Sequence, residues 1–254
     1  MKVAVAGAGG RMGRALIDAV LADRSLTLAA AFDVPRSPAV GQQIGSIQVG
    51  SDAAAAIAAA DVVIDFTRPE GALAHVKHAK AMVLGTTGFS EIQRNVIIEA
   101  AKQAPIVMAA NFAVGVNATY KLAETAAKIL GDAYDVEIIE AHHRHKVDAP
   151  SGTALELGRI IAGALGRDLG KESRFGRVGD TGERPGREIG FHSVRGGDIV
   201  GEHTVIFAGV GERVEVTVRS QSRATYAAGA LRAAKWLRAR PAGLYDMSDV
   251  LGLR

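Results

Sequence analysis

Short apolar runs alternate with amphipathic stretches through the first third of the chain. Val3–Ala6 is unbroken and of strand length, and Met12, Leu16, Ala19 and Val20 then recur at helical spacing. Leu26–Phe32, Val62–Phe66, Met82–Leu84 and Ile106–Ala109 repeat the strand pattern. Helices are predicted from Pro69-Glu70, where proline suits a first turn, and over about Glu91–Gln103. Strands apolar at nearly every position are buried on both faces. Repeated strand–crossover–strand units need a parallel sheet with helices on each side. The pattern predicts an α/β fold whose first domain is a Rossmann-like, doubly wound parallel sheet.

The periodicity changes in the middle third. A long helix over about Asn117–Leu130 precedes a strand, Val136–Glu140, and a His-rich loop. Thr153-Ala-Leu-Glu156 reads as a capping box opening a helix that runs to about Leu165. Residues 166–198 are rich in Gly, Arg and Asp without periodicity, and read as loop or mobile segment. Val200–Phe207 and Arg213–Val218 alternate apolar and polar positions around Ala208-Gly-Val-Gly211, which predicts an antiparallel pair. Thr225–Arg238 is a last amphipathic helix, expected to return to the first domain. The expected organisation is residues 1–113 with 223–254 as a dinucleotide-binding domain, and 114–222 as an inserted second α/β domain with a mixed sheet.

Composition narrows the function classes. A chain of 254 residues with 48% hydrophobic residues can bury one large core or two modest ones. There is no cysteine, which excludes disulfides, thiolate catalysis and Cys-ligated metal. Lys and Arg number 30 against 27 Asp and Glu, a net charge of +3 without a block of like charges, so no nucleic-acid partner is expected. A mild positive field suits an anionic small molecule. Met1–Gly10 lacks the apolar core of a signal peptide, and no apolar run approaches the ~18 residues of a membrane span, so a cytoplasmic location without a membrane partner is expected.

Gly7-Ala-Gly-Gly-Arg-Met-Gly13 follows the first predicted strand and opens a helix. Glycines there let the backbone approach a pyrophosphate, whose charge meets free amides and the positive helix end. A buried tight turn would also call for glycine, but Asp33 stands at the end of the second strand, where a carboxylate accepts from ribose hydroxyls. Asp33 favours NADH, because a carboxylate repels the extra phosphate of NADPH. Arg11 and Arg36 argue the other way as phosphate partners, although Arg36 stands equally as a solvated loop charge. Asp65-Phe-Thr67, Gly85-Thr-Thr-Gly88 and Ala110-Asn111-Phe112 each follow a strand at its carboxyl end, the ligand edge of open α/β sheets. Thr86 and Thr87 can present amides and hydroxyls there. Phe66 or Phe112 would either wall the nicotinamide ring or belong to the core.

Glu140-Ala-His-His-Arg-His-Lys-Val-Asp-Ala-Pro-Ser-Gly-Thr153 concentrates the remaining chemistry. A metal site is disfavoured, since a strand-like path separates His142 from His143 and His145 and Lys146 repels a dication. A serine nucleophile at Ser151 lacks an elbow and a triad. A solvated charged loop before a capped helix is the structural alternative. The functional reading divides the run. One histidine moves a proton, Lys146 supplies fixed charge or donates, and Ser151, Gly152 and Thr153 hold a carboxylate at a helix start. Joined to a nicotinamide domain, this is the pattern of a reductase acting on a small mono- or dicarboxylic acid, with no metal.

These segments resemble the 4-hydroxy-tetrahydrodipicolinate reductase (dihydrodipicolinate reductase) family of the diaminopimelate–lysine pathway. The motifs that carry the resemblance are the glycine loop, Asp65-Phe-Thr-Arg-Pro-Glu-Gly71, Gly85-Thr-Thr-Gly-Phe89, Asn111-Phe-Ala-Val-Gly-Val-Asn117 and above all His142-His-Arg-His-Lys-Val-Asp-Ala-Pro-Ser-Gly-Thr-Ala154. The likeness continues through Gly182–Gly190, Ser193–His203 and Ser222-Arg223. It implies a homotetramer, with NADH or NADPH on the first domain and a cyclic dicarboxylate on a second domain that also builds the tetramer. It implies His142 as catalytic acid/base, Lys146 as its partner proton donor, and His143, Gly152 and Thr153 as substrate contacts. Implied cofactor contacts are Gly7, Ala8, Gly9, Gly10, Arg11, Met12, Asp33, Gly85, Thr86, Thr87, Ala109, Ala110, Asn111 and Phe112. The implied reaction delivers hydride to C4 of the ring, with water lost and a ring carbon protonated. Three positions depart from the family pattern: Val34 where an arginine often follows the ribose acid, Val218 where a histidine is common, and Ala113 in place of a frequent serine.

Overall fold

A computed structural model describes residues 1–254. The chain forms two compact units, Met1–Val114 with Arg223–Arg254, and Gly115–Ser222. In chain order, the first stretch holds β1 (Lys2–Ala6), α1 (Arg11–Ala22), β2 (Thr27–Phe32), a small hairpin of β3 (Gln43–Ile44) and β4 (Ile47–Gln48), α2 (Ala53–Ala58), β5 (Val62–Asp65), α3 (Pro69–Val76), β6 (Met82–Leu84), α4 (Glu91–Ala101) and β7 (Pro105–Met108). Then follow α5 (Val114–Leu130), β8 (Asp135–His142), α6 (Gly152–Ala164), α7 (Leu169–Glu172), β9 (Ser173–Phe175), β10 (Ile189–Arg195), β11 (Gly201–Ala208) and β12 (Arg213–Ser220). The chain returns to the first unit with α8 (Ala224–Leu237), β13 (Gly243–Tyr245) and α9 (Met247–Leu251).

The first unit is a six-stranded parallel sheet in the order β13-β7-β6-β5-β1-β2. Its strands read as continuous apolar runs because successive residues feed two cores. Val3, Val5, Ile64, Val83 and Val107 pack on one face with Leu16, Ile17, Val20 and the Ala227–Leu237 stripe of α8. Ala4, Ala6, Val63, Met82, Leu84 and Ile106 pack on the other with Ile57, Val76 and Ile97. The order reverses direction at β1, so the switch point opens at the carboxyl ends of β1 and β5, where an open α/β sheet takes its ligand.

The second unit is a five-stranded mixed sheet, β12-β11-β8-β10-β9. β8 lies between antiparallel β11 and parallel β10. Helices cover only one face. Val136, Ile138, Ile189, Phe191, Val205 and Phe207 meet Ala123 and Ala127 of α5 and Leu157 and Ile161 of α6, which gives β11 its strict buried–half-buried alternation.

Several sequence expectations are corrected here. The stretch 166–198 is not an irregular segment but carries α7, β9 and the sheet strand β10. β10 hides from a pattern reading because Gly190 interrupts it, and a Cβ at that position would fall 1.8 Å from Glu137 Oε2. The arginines before it are tied inward: Arg177 and Arg184 donate to Glu137 at 2.8 and 2.9 Å, and His192 also pairs with it at 2.8 Å. The helix after the His-rich run begins at Gly152, capped by the Ser151 hydroxyl that accepts from Ala154 N at 3.2 Å, rather than by a Thr153 box. β8 extends two residues past Glu140, so His142 ends a strand. β13 and α9 were not foreseen; three residues of β13 suffice because they only extend the sheet beside β7.

Candidate active site

All predicted cofactor residues stand at the carboxyl edge of the first sheet. Gly7 turns at φ +70°, Gly10 N–H donates to Gly7 O at 3.0 Å, and Gly10 caps α1, whose first turn carries Arg11 and Met12. A Cβ on Gly13 would lie 2.0 Å from Gly7 O, so the helix start can close on the turn only with glycine. Ala8 is buried, and its N–H donates to Phe32 O at 3.1 Å. Gly9 N–H donates to Asp33 Oδ2 at 2.8 Å, and Val34 N–H to Asp33 Oδ1 at 2.8 Å. A Cβ on Gly9 would lie 2.9 Å from both Asp33 Oδ2 and Ser37 Oγ, so the ribose acid sits directly against the glycine loop. This cradle fits a dinucleotide. Arg11, Val34 and Arg36 are exposed around it.

Gly85, Thr86 and Thr87 follow β6. Gly85 N–H donates to Asp65 O at 2.8 Å, and the Phe66 ring lies where a Gly85 side chain would be. Thr86 is buried and Thr87 exposed. Ala109, Ala110 and Asn111 follow β7, with Ala109 N–H on Leu84 O at 3.2 Å and Ala113 N–H on Asn111 Oδ1 at 2.9 Å. Phe112 belongs to the core, 1% exposed and 5.3 Å from the Phe66 ring.

The second unit gathers the proton chemistry at the carboxyl end of β8. Glu140 is 1% exposed, and its Oε2 pairs with His142 Nδ1 at 2.5 Å. Arg195, paired across from His142 on β10, grips both Glu140 oxygens at 2.7 and 2.8 Å. It also reaches Asp148 O at 2.7 Å, and Ser151 N–H donates to Glu140 Oε1 at 3.3 Å. Burial pushes the Glu140 carboxyl up, but hydrogen bonds from Arg195, Ser193 and His142 outweigh it and hold the group at about 2. An ionised Glu140 takes a proton-bearing Nδ1, so Nε2 is the atom of His142 left to exchange protons. Burial lowers the His142 pKa, Glu140 partly restores it, and the charges of Lys146 and Arg195 lower it again.

His203 stands opposite Glu140 on β11, its ring edge-on to His142 at 5.1 Å. Its Nε2 pairs with the buried Ser151 Oγ at 2.8 Å. Burial and then the nearby His142 hold it down at about 4, so it is neutral near pH 7. Ser151 therefore serves as helix cap and His203 partner, while Gly152 and Thr153 form the first helical positions. The chain turns after His142, with Lys146 N–H on His143 O at 3.1 Å. Lys146 Nζ holds both oxygens of Asp148 at 2.8 Å. The His143 and His145 rings lie 6.2 Å apart, and His143 Nδ1 is buried without a hydrogen-bond partner. No three His, Asp or Glu side chains are grouped to hold a metal ion. Glu140, Arg195 and His203 were missed as site residues. The Glu-x-His spacing was the one available signal, since alternate strand residues share a face.

The linkage of His203 makes a prediction. Its folded value lies below the ordinary 6.5, so between about pH 6.5 and 4 the unfolded chain binds a proton the native chain refuses. Stability should fall as pH drops through that window. His203→Gln, whose amide can keep the Ser151 bond, should flatten that part of the urea-midpoint profile. An unchanged slope would assign the acid sensitivity to other groups.

Comparison with known proteins places these features. The model of dihydrodipicolinate reductase, N-terminus, matches residues 1–112, and that of dihydrodipicolinate reductase, C-terminus, matches 115–251. The 4-hydroxy-tetrahydrodipicolinate reductase of Cupriavidus necator is 57% identical over 265 aligned positions, covering 100% of both chains. That of Aromatoleum aromaticum is 57% identical over 100% of this chain and 96% of its own. The dipicolinate-bound dihydrodipicolinate reductase of Paenisporosarcina sp. TG-14 superposes with a TM-score of 0.78 at 25% identity, over 97% of each chain. With a dinucleotide cradle on one unit, a carboxylate-held histidine on the other and full-length likeness at this level, the chain belongs to the family of 4-hydroxy-tetrahydrodipicolinate reductases, NAD(P)H-dependent oxidoreductases of lysine biosynthesis through diaminopimelate.

Proposed function

We propose that His142 is the acid/base of the family's reaction in this chain and that Lys146 is its partner cation. The Glu140–His142 contact carries this reading: it fixes one ring nitrogen and leaves Nε2 to take up or release a proton. When bound, reduced nicotinamide supplies the hydride that reaches C4 of the 4-hydroxy-tetrahydrodipicolinate ring. His142 Nε2 delivers the proton to the ring carbon as water is lost. A low-pKa imidazolium is a strong donor, and the Lys146 charge favours that release. Gly152 and Thr153 at the start of α6, with His143, hold the substrate carboxylates; Ser151 keeps that helix start in place through His203. The buried, unpaired His143 Nδ1 supports a ligand contact there.

Gly7, Ala8, Gly9, Gly10, Arg11 and Met12 would hold the pyrophosphate, Asp33 the adenosine ribose, and Gly85, Thr86, Thr87 and Ala109–Phe112 the nicotinamide half, with Phe112 acting from the core. NADH is the preferred cofactor in this reading, because Asp33 already lies against the loop while Val34 brings no cation. Asp33→Ala should weaken NADH binding more than NADPH binding, and calorimetric titration with each would show it. Equal weakening would remove Asp33 as ribose reader.

The uncovered sheet face of the second unit supports the homotetramer. Ile139 and Val194 are 36% and 50% exposed there, beside the Thr204–Thr217 pair. We place the enzyme in the cytoplasm; no helix is long and apolar enough to cross a membrane. The activity is tested by loss of reduced-nicotinamide absorbance with freshly generated 4-hydroxy-tetrahydrodipicolinate. No turnover with either cofactor would sink it.

A further inference from the structure

Asp65 ends β5 at the switch point and is wholly buried. A carboxylate in such a place is costly unless several donors meet it. Four do. Thr67 N–H and Thr67 Oγ1 donate to Oδ1 at 2.8 and 2.7 Å, and Thr86 Oγ1 approaches the same oxygen at 3.4 Å. His75 Nδ1, from α3, pairs with Oδ2 at 2.7 Å.

The three residues that supply these donors come from different parts of the ligand edge. The Thr67 methyl lies under Gly7, 3.0 Å from where a Cβ there would be, so Thr67 props the left-handed turn of the glycine loop. Thr86 belongs to the loop after β6, and its hydroxyl also points to Thr67 O at 3.2 Å. The Thr86 hydrogen is thus turned inward and its oxygen is left as an acceptor. The His75 ring stands edge-on to Phe32 at 5.0 Å, one residue before Asp33. One carboxylate so joins residues after β5 and β6, and through Thr67 and His75 it backs the loop after β1 and the end of β2. An apolar residue would fill the strand end at lower cost but would join none of them.

We propose that His75 and Asp65 form a positioning pair that sets the glycine loop and Thr86 in register for the nicotinamide nucleotide. Neither is a catalytic residue, and the inference rests on the reading of this edge as the nucleotide site. The pair acts through the Nδ1–H of His75. His75→Leu should therefore weaken NADH binding about 10-fold, the worth of one buried hydrogen bond, by calorimetry. KM for NADH should rise by a similar factor, with kcat at saturating NADH and KM for the dicarboxylate held within about twofold. His75→Asn, whose amide nitrogen can take the place of Nδ1, should restore most of the affinity. Unchanged NADH affinity in His75→Leu, or no recovery in His75→Asn, would overturn the proposal. If His75→Leu fails to fold, Thr67→Val keeps the methyl under Gly7 and removes only the hydroxyl. It should still weaken NADH binding about threefold or more, and wild-type affinity would overturn the strut. Absence of NADH and NADPH binding by the unaltered chain would instead overturn the nucleotide reading itself.

Discussion

His142→Gln should lower kcat by about 10²-fold or more, the usual worth of a positioned general acid, while NADH affinity stays within about twofold. Arg195 and the Ser151 N–H still hold Glu140, so the buried carboxylate keeps its partners and the fold should persist. Glutamine reaches the position of Nε2, but its amide cannot take up and release a proton there. Single-turnover measurement with saturating NADH isolates the proton-dependent step from product release. An unchanged kcat would remove His142 from the mechanism and pass the role to Lys146. A matching loss of NADH affinity would show that the substitution had damaged more than proton transfer.

Glu140→Gln should be felt twice. Arg195 loses the charge of its carboxylate partner, and breaking a buried ion pair from one side costs about 3–5 kcal/mol. The urea midpoint should drop accordingly. Catalysis should suffer separately, because the amide no longer selects the Nδ1–H form of His142. Glu140 raises the His142 pKa, so its loss should shift the alkaline limb of the kcat/KM profile, where the donor loses its proton, to lower pH. The wild-type carboxyl titrates at about 2 rather than near 4.5, so its contribution to stability is complete above about pH 4.5 and is lost as pH falls toward 2. The variant should lack that part of the acid slope. A midpoint equal to wild type would mean the pair with Arg195 offsets its own desolvation and nothing more.

The parallel sheet was legible because its strands are buried on both sides. An apolar run such as Val3–Ala6 needs no partner to be recognised, and the glycine loop, Asp33 and the loops after β5, β6 and β7 follow from strand ends alone. The second sheet was only half legible. β11 and β12 alternate cleanly, but β10 does not: Gly190 yields space to Glu137, and His192 and Arg195 turn to partners more than fifty residues away. Its strand character comes from pairing with β8, a non-local decision that local propensity does not carry. Thr153 misled for a related reason, since Ser151 satisfies the same capping rule two residues earlier and is fixed there by His203.

The sequence by itself determined the residue types: a glycine loop with an acid at the next strand end, and histidine and lysine beside a capped helix. These are local patterns, bounded by the periods of strand and helix. Only the tertiary structure decided how they are held. Glu140 takes its charge state from Arg195 on a neighbouring strand, and that charge sets which nitrogen of His142 bears the proton. Asp65 likewise gathers Thr67, Thr86 and His75 from three segments into one buried site. A buried carboxylate needs its donors in three dimensions, and nothing in the spacing along a chain reports which residues will supply them.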